Sequence, residues 1–287
     1  MTLLLSYDIE AASVGEGLAP VKNAGEKYSD ALTPDSTVQA LEILTEIHSK
    51  YEIPLTLFCT GKTLLQSPQA LIDIKNNLGK LVDIQQHTYS HVIFKDVVYE
   101  STPGEKNFYE APPFELLDAE VRYASDVLKK ILNIDCKGIR TPYCYYQGLR
   151  SETKILSMLE KYGIEYVSSF GRNKEGSHPT PWINPYTYAD EGFPNLVELP
   201  AQNWFDCLWY DLNGWDNQQG YKKLIKSNID YIHSNNLVWN MIFHDWSIIK
   251  AQERTSKVIE DLIIFGKSID ENFYSNYDYS KIVLKKA

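Results

Sequence analysis

Strand-like and helix-like segments alternate about seven times along this chain in one unbroken pattern, and no feature constrains its fold more. Residues 3–7 read as a first, buried strand. Residues 35–50 carry apolar side chains at helical spacing behind the N-cap signal Pro34-Asp35-Ser36. Residues 53–59, rich in β-branched and aromatic types, form a second strand. Residues 64–78 form a helix that Gly79 stops, and residues 80–86 a third strand. After an irregular stretch over 92–113 come a helix (114–132), a strand (136–140), a helix (152–162) and a strand (166–170). A proline-marked excursion over 177–194 precedes a strand (196–199), a helix (221–234), a strand (238–243) and a helix (253–266).

Such alternation over residues 1–287, with no internal repeat, predicts a single α/β domain with parallel strands. An open doubly wound sheet and a barrel both fit. No glycine-rich turn follows the first strand, which counts against a dinucleotide-binding fold. The four cysteines (Cys59, Cys136, Cys144, Cys207) have no CxxC spacing and read as reduced thiols in or near the core.

The polar residues directly after each strand are not scattered. Asp8 and Glu10 end the first strand, His87 and His91 follow the third, and Arg140-Thr141-Pro142-Tyr143 close the fourth. Trp204-Phe205-Asp206 follow the sixth, and His244-Asp245-Trp246 end the seventh. Parallel strands bring their C-terminal ends to one face, so these side chains are expected to share one cleft. Two histidines four residues apart face the same way when the segment makes one helical turn. With a carboxylate they make a donor set that leaves positions open for water and substrate, as a catalytic metal site needs. Asp8 and Glu10 point to the same side of an extended strand, so one can bind a metal while the other stays free as a base.

The net charge of −10 argues against a nucleic-acid backbone or an anionic membrane surface as the main partner. No run approaches the roughly 18 apolar residues of a membrane span. The opening MTLLLSYD lacks the basic flank and the length of a secretory signal, which leads to an expectation of a cytoplasmic protein.

Together these residues resemble the polysaccharide deacetylases, the NodB-homology or carbohydrate esterase family 4. LLLSYDIE is similar to the family's first motif, LTLFCTG to the strand after the first helix, and VDIQQHTYSH to the second motif. GIRTPY is similar to the Arg-x-Pro-Tyr motif, VELPAQNWFD to the fourth and IFHDWS to the last. The resemblance implies a distorted (β/α) barrel with seven or eight parallel strands and a divalent metal, usually zinc. One departure concerns the first motif. The family usually has adjacent aspartates there, whereas here Ile9 separates Asp8 from Glu10.

On that resemblance Glu10, His87 and His91 would hold the metal and Asp8 would be the general base, with the exchange of the two carboxylates as the alternative. The backbone N–H of Tyr143 would receive an oxyanion. His244 would protonate the leaving amine, made cationic by Asp206 or by Asp245, and Arg140 would hold Asp8 through a charge-assisted pair. Tyr145, Trp204 and Trp246 fall near the same face, where flat rings would stack on sugar C–H faces or pack in the core. The implied reaction is removal of an N-acetyl group from an amino sugar or N-acetylated glycan. The alternatives are a small non-sugar amide, as in an allantoinase-like or deformylase-like enzyme, and a non-catalytic carbohydrate-binding relative.

Overall fold

A computed structural model describes residues 2–11, 13, 28–102, 105–251, 254–269 and 271–286. Its frame is a ring of seven parallel strands: β1 (Thr2–Ile9), β2 (Leu55–Cys59), β3 (Val82–Gln86), β6 (Gly138–Tyr145), β7 (Tyr166–Phe170), β9 (Phe193–Glu198) and β10 (Val238–His244). They lie in the order β10-β1-β2-β3-β6-β7-β9. The ring closes through one parallel bridge between Ala201, just past β9, and Asn240 of β10. Side chains sew the same seam: Asn240 donates from Nδ2 to the Leu199 carbonyl (3.0 Å), and the Asn240 amide donates to Gln202 Oε1 (2.9 Å). Where β3 meets β6 the pairing thins to Gln86 opposite Ile139. Two thin seams account for the distortion of the barrel.

Alternation along β1 sets the layers. Leu3, Leu5, Tyr7 and Ile9 join the large core under the helices, whereas Leu4 belongs to a second cluster with Phe58, Tyr166, Val197, Leu199, Val238 and Tyr279. The residues of Leu4's parity are therefore Leu4, Ser6 and Asp8, and Glu10 follows in step. Tyr166 fills the space against Gly138, where an added Cβ would lie 2.1 Å from the ring, so only glycine fits.

The helices are α1 (Pro34–Tyr51), α2 (Gly61–Gln66), α3 (Pro68–Leu78), α4 (Phe114–Leu132), α5 (Thr153–Lys161), α6 (Asp206–Asn213), α7 (Gln218–Asn235), α8 (Asp245–Lys250), α9 (Arg254–Ser268) and α10 (Asn276–Lys286). Thr33 caps α1, accepting from the Ser36 amide at 3.1 Å, one residue before the expected signal. The helix expected over 64–78 is two helices, broken at Ser67 with Pro68 opening the second. The stretch expected to be irregular, 92–113, contains an antiparallel hairpin, β4 (Val97–Thr102) with β5 (Glu105–Tyr109). The proline-marked excursion holds β8 (Tyr186–Tyr188), antiparallel to β9, and a short β11 (Asn272–Tyr274) pairs with the start of β1. Glu253, the expected start of the last helix read from sequence, lies outside the described residues. All four cysteines are free and buried. No helix among the described residues is long and apolar enough to cross a membrane.

Candidate active site

The C-terminal ends of the barrel strands bring the expected polar residues together. Glu10 sits one residue past β1 with its Oε2 at 2.8 Å from His91 Nε2 and 3.1 Å from His87 Nε2. All three are at most 4% exposed. Their donor atoms lie within 4.8 Å of one another, a spacing that suits a shared ion. The His87 ring orientation is fixed from behind. Its Nδ1 lies 2.8 Å from the Arg140 carbonyl, so Nδ1 donates there and Nε2 is the nitrogen turned to Glu10, able to ligate a cation once it gives up its own proton. His91 Nδ1 is buried without a partner.

The turn that carries the two histidines is not helical. Thr88 and His91 both sit in the left-handed region, at φ 61° and 65°. Its neighbours hold it there. The Gly61 and Lys62 amides at the start of α2 donate to the Thr88 and Tyr89 carbonyls (2.9 and 3.0 Å), and Ser90 donates twice to Glu120, each at 2.7 Å. The two rings end 4.9 Å apart.

Asp8 stands beside this group without joining it. Its Oδ2 is 3.8 Å from His87 Nε2 and 3.9 Å from His244 Nε2, while its Oδ1 takes the Arg140 Nη1–H at 2.7 Å. Arg140 is fully buried. It also donates to Ser6 (2.7 Å) and to Ser168 (3.2 Å), with its guanidinium 4.3 Å from the Phe58 ring centre. Each of the three guanidinium nitrogens thus has a hydrogen-bond partner, as a buried cation requires.

Asp206 starts α6 and binds His244 twice. Its Oδ1 lies 2.5 Å from His244 Nδ1, and its Oδ2 accepts the His244 amide at 3.0 Å. Burial works against a charged His244, but Cys207 and the Asp206 carboxylate outweigh it and hold the imidazole pKa well above 6.5. Burial pushes the Cys207 thiol up to about 11. Burial likewise raises the Glu10 pKa, yet the charge of His91 and the hydrogen bonds from His87 and His91 hold it well below the usual carboxylate range.

Asp245, the other candidate partner of His244, turns elsewhere. It accepts from Thr37 (2.6 Å) and from the amides of Glu10 and Ala11 (3.2 Å each), and burial is the main cause that pushes its pKa up to about 6. Tyr143, at φ 67°, faces His91 with ring centres 4.8 Å apart. Sequence reasoning missed what holds it. Arg172 donates from Nε to the Tyr143 carbonyl (2.8 Å), and the Tyr99 hydroxyl donates to the Cys144 carbonyl (3.0 Å). Both residues sit in stretches with no periodic signal, and neither is marked by its neighbours in the chain.

The three aromatic candidates separate. Tyr145 is buried in the helix-facing core and its hydroxyl accepts the Phe94 amide (2.7 Å), a packing role. Trp204 is half-buried and stacks on His178 at 5.8 Å. Trp246 is buried, and its indole Nε1 donates to Glu10 Oε1 at 3.0 Å.

The polysaccharide deacetylase family model matches residues 27–167. No curated protein matches the chain in sequence. Among solved structures, a Mycobacterium smegmatis protein named as a polysaccharide deacetylase superposes with a TM-score of 0.68 at 16% identity, covering 99% of this chain and 90% of its own. A Pseudomonas aeruginosa PAO1 protein of the same description gives 0.69 at 14% identity, over 98% and 89%. The PuuE allantoinase gives 0.69 at 12% identity, also over 98% and 89%. At these identities the likeness is one of fold. Residues 27–167, just under half of the chain, are thus similar in sequence to the polysaccharide deacetylase family, and nearly the whole chain shares the fold of the solved structures so named.

Proposed function

We propose that residues 1–287 form one catalytic domain, a metal-dependent hydrolase that removes N-acetyl groups from an amino sugar or N-acetylated glycan. The observation that carries this reading is the division between the two carboxylates of the first motif. Glu10 sits between two imidazole Nε2 atoms, while Asp8 is held by Arg140 and lies nearly 4 Å from both neighbouring imidazoles. Glu10, His87 and His91 would hold a divalent cation, with zinc the ion best matched to two imidazoles and a carboxylate. Such an ion supplies Lewis acidity toward a substrate carbonyl and an attacking water.

The remaining chemistry belongs to the chain. Asp8 Oδ2 faces the space between His87 and His244, where it takes the proton of an attacking water. The Tyr143 N–H receives the oxyanion that forms on the acyl carbon. His244, cationic beside Asp206, gives a proton from Nε2 to the departing amine. Arg140 keeps Asp8 aimed, so the base does not rotate toward the ligands. Together Asp8 and His244 balance the reaction: one proton is taken from water and one is delivered to nitrogen.

A second substrate class is favoured by the burial of the site. Asp8, Glu10, His87, His91, Asp206 and His244 are all buried, which suits a small amide that enters completely. The shared fold of the PuuE allantoinase agrees with that reading. The test measures acetate release from N-acetylglucosamine and its oligomers, and ammonia or acid release from small ureides and formamides, before and after chelation and zinc restoration. The proposal expects acetate release that chelation abolishes and zinc restores. Turnover of the small amides alone shifts the assignment to the second class, and activity untouched by chelation contradicts the mechanism.

A further inference from the structure

Trp246 follows the strand-ending His244 by two residues, in the position where an aromatic platform for a sugar was expected. Its surroundings assign it other work. One face of the indole packs on Tyr28, with ring centres 4.6 Å apart and planes tilted by 31°, and Trp215 and His244 lie at 6.1 and 5.5 Å. The side chain is 3% exposed, which leaves no open face for a sugar. Its single polar atom is turned onto Glu10: Nε1 donates to Oε1 at 3.0 Å.

The opposite oxygen, Oε2, is the one that faces both imidazoles, at 2.8 and 3.1 Å. The indole therefore occupies one carboxylate oxygen and leaves the other to the histidines. The neighbouring residue grips the same point by its backbone. Asp245 Oδ1 accepts the Glu10 amide and the Ala11 amide, each at 3.2 Å, and Oδ2 accepts the Thr37 hydroxyl at 2.6 Å, which anchors the grip to α1. The Trp246 amide returns a bond to Asp245 at 2.9 Å. One dipeptide at the start of α8 thus fixes both the main chain and the side chain of Glu10.

We propose that Trp246 is a positioning residue for Glu10, which splits the carboxylate so that a single oxygen is presented to the cation, and that it is not a sugar platform. The inference rests on the metal-site reading above. It also gives a physical reason for the spacing of the first motif. The longer glutamate side chain, two residues past Asp8, spans from the indole to the histidines, whereas Asp8 engages Arg140 and not the indole.

The test compares Trp246→Phe with Trp215→Phe. Phenylalanine keeps an aromatic ring against Tyr28 and removes the N–H donor together with part of the ring volume, a loss of volume that Trp215→Phe matches. Trp215 shares the stack and donates its own indole N–H to Asp211 at 3.0 Å, away from Glu10. Zinc affinity of the full chain is measured by competition with a chromophoric chelator, and KM and kcat are measured on the zinc-loaded proteins. Trp246→Phe is expected to weaken zinc binding about 10–100-fold, the usual cost of losing an outer partner of a metal ligand, with KM near wild type. Trp215→Phe is expected to leave zinc affinity unchanged. In a Glu10→Asp background, where the shorter carboxylate is withdrawn from the indole, Trp246→Phe is expected to add little. Unchanged zinc affinity with a raised KM in Trp246→Phe would restore the platform role and overturn the proposal, as would equal weakening by Trp215→Phe. A wild-type chain that binds no zinc overturns the metal-site reading itself, which separates the two failures.

Discussion

Two carboxylate–histidine groupings lie side by side at the mouth of this barrel, and they differ in which ring nitrogen meets the carboxylate. At Glu10 the carboxylate faces Nε2 of both His87 and His91, and His87 is fixed from behind through Nδ1 by a main-chain carbonyl. At Asp206 the carboxylate takes Nδ1 and the amide of His244, leaving Nε2 to face Asp8 and Glu10, each at 3.9 Å. The first arrangement gathers lone pairs around a point and suits a cation. The second stabilises an imidazolium and points its other N–H at the reacting space, which suits a proton donor. Asp8 stands between them, tied to Arg140, and belongs to neither.

The largest effect expected from breaking this division comes from Asp8→Asn. If Asp8 is the base, turnover falls by about 10²–10⁴-fold while cation affinity stays close to wild type. Loss of the cation together with activity would show that the carboxylate roles are exchanged. Zinc titration and steady-state rates on the same preparation separate these results.

Asp206→Asn sharpens the second grouping. His244 must be protonated to act as the acid, so activity holds below its raised pKa and falls as pH climbs through it. Removal of the Asp206 charge leaves burial in command, which favours the neutral ring. The alkaline limb of the rate profile is then expected to move to lower pH, with a fall in rate of about 10–100-fold near neutrality. An alkaline limb that stays in place would remove His244 from the acid role.

His48 supplies the contrast of a buried histidine with no carboxylate. It bridges the Tyr7 hydroxyl (2.9 Å) and the Ile53 carbonyl (2.8 Å), and burial pushes its pKa down to about 4, against a smaller upward pull from Ile53. The unfolded chain takes up this proton first, near 6.5, so the contribution is complete above that pH. It is lost as pH falls from about 6.5 to about 4, by roughly 3 kcal/mol in all. His48→Gln is expected to flatten that part of the stability–pH curve, followed by denaturant melts, with no change in turnover. A curve of unchanged slope would contradict the neutral assignment.

Much of this was legible in the sequence for a physical reason: the period of a strand is two. Asp8 and Glu10 had to share a side, and parallel strands had to collect Arg140, Asp206 and His244 at one end. Phe114–Leu132 and Tyr166–Phe170 were readable to the residue because their apolar periods are clean. The hairpin at Val97–Thr102 and Glu105–Tyr109 was not, since short strands of mixed polarity carry little period. Asn276–Lys286 escaped for a related reason. Its buried residues are Asn276, Tyr279 and Ser280, and the Asn276 amide binds Thr56, 220 positions earlier in the chain. Contacts of that range also decide the fates of the aromatics. Trp246 meets Glu10 across 236 positions, and nothing local distinguishes it from Tyr145, which serves the core.

The contrast between the two groupings is tested most directly by counting ions bound to the purified chain and to two variants, His91→Ala and Cys207→Ser. Either grouping has three donors close enough to hold an ion, with Cys207 completing the one at Asp206 and His244. The account predicts that the wild type binds a single zinc ion, that His91→Ala loses it, and that Cys207→Ser keeps it. Zinc retained by His91→Ala and lost from Cys207→Ser would place the ion in the wrong grouping and contradict the account.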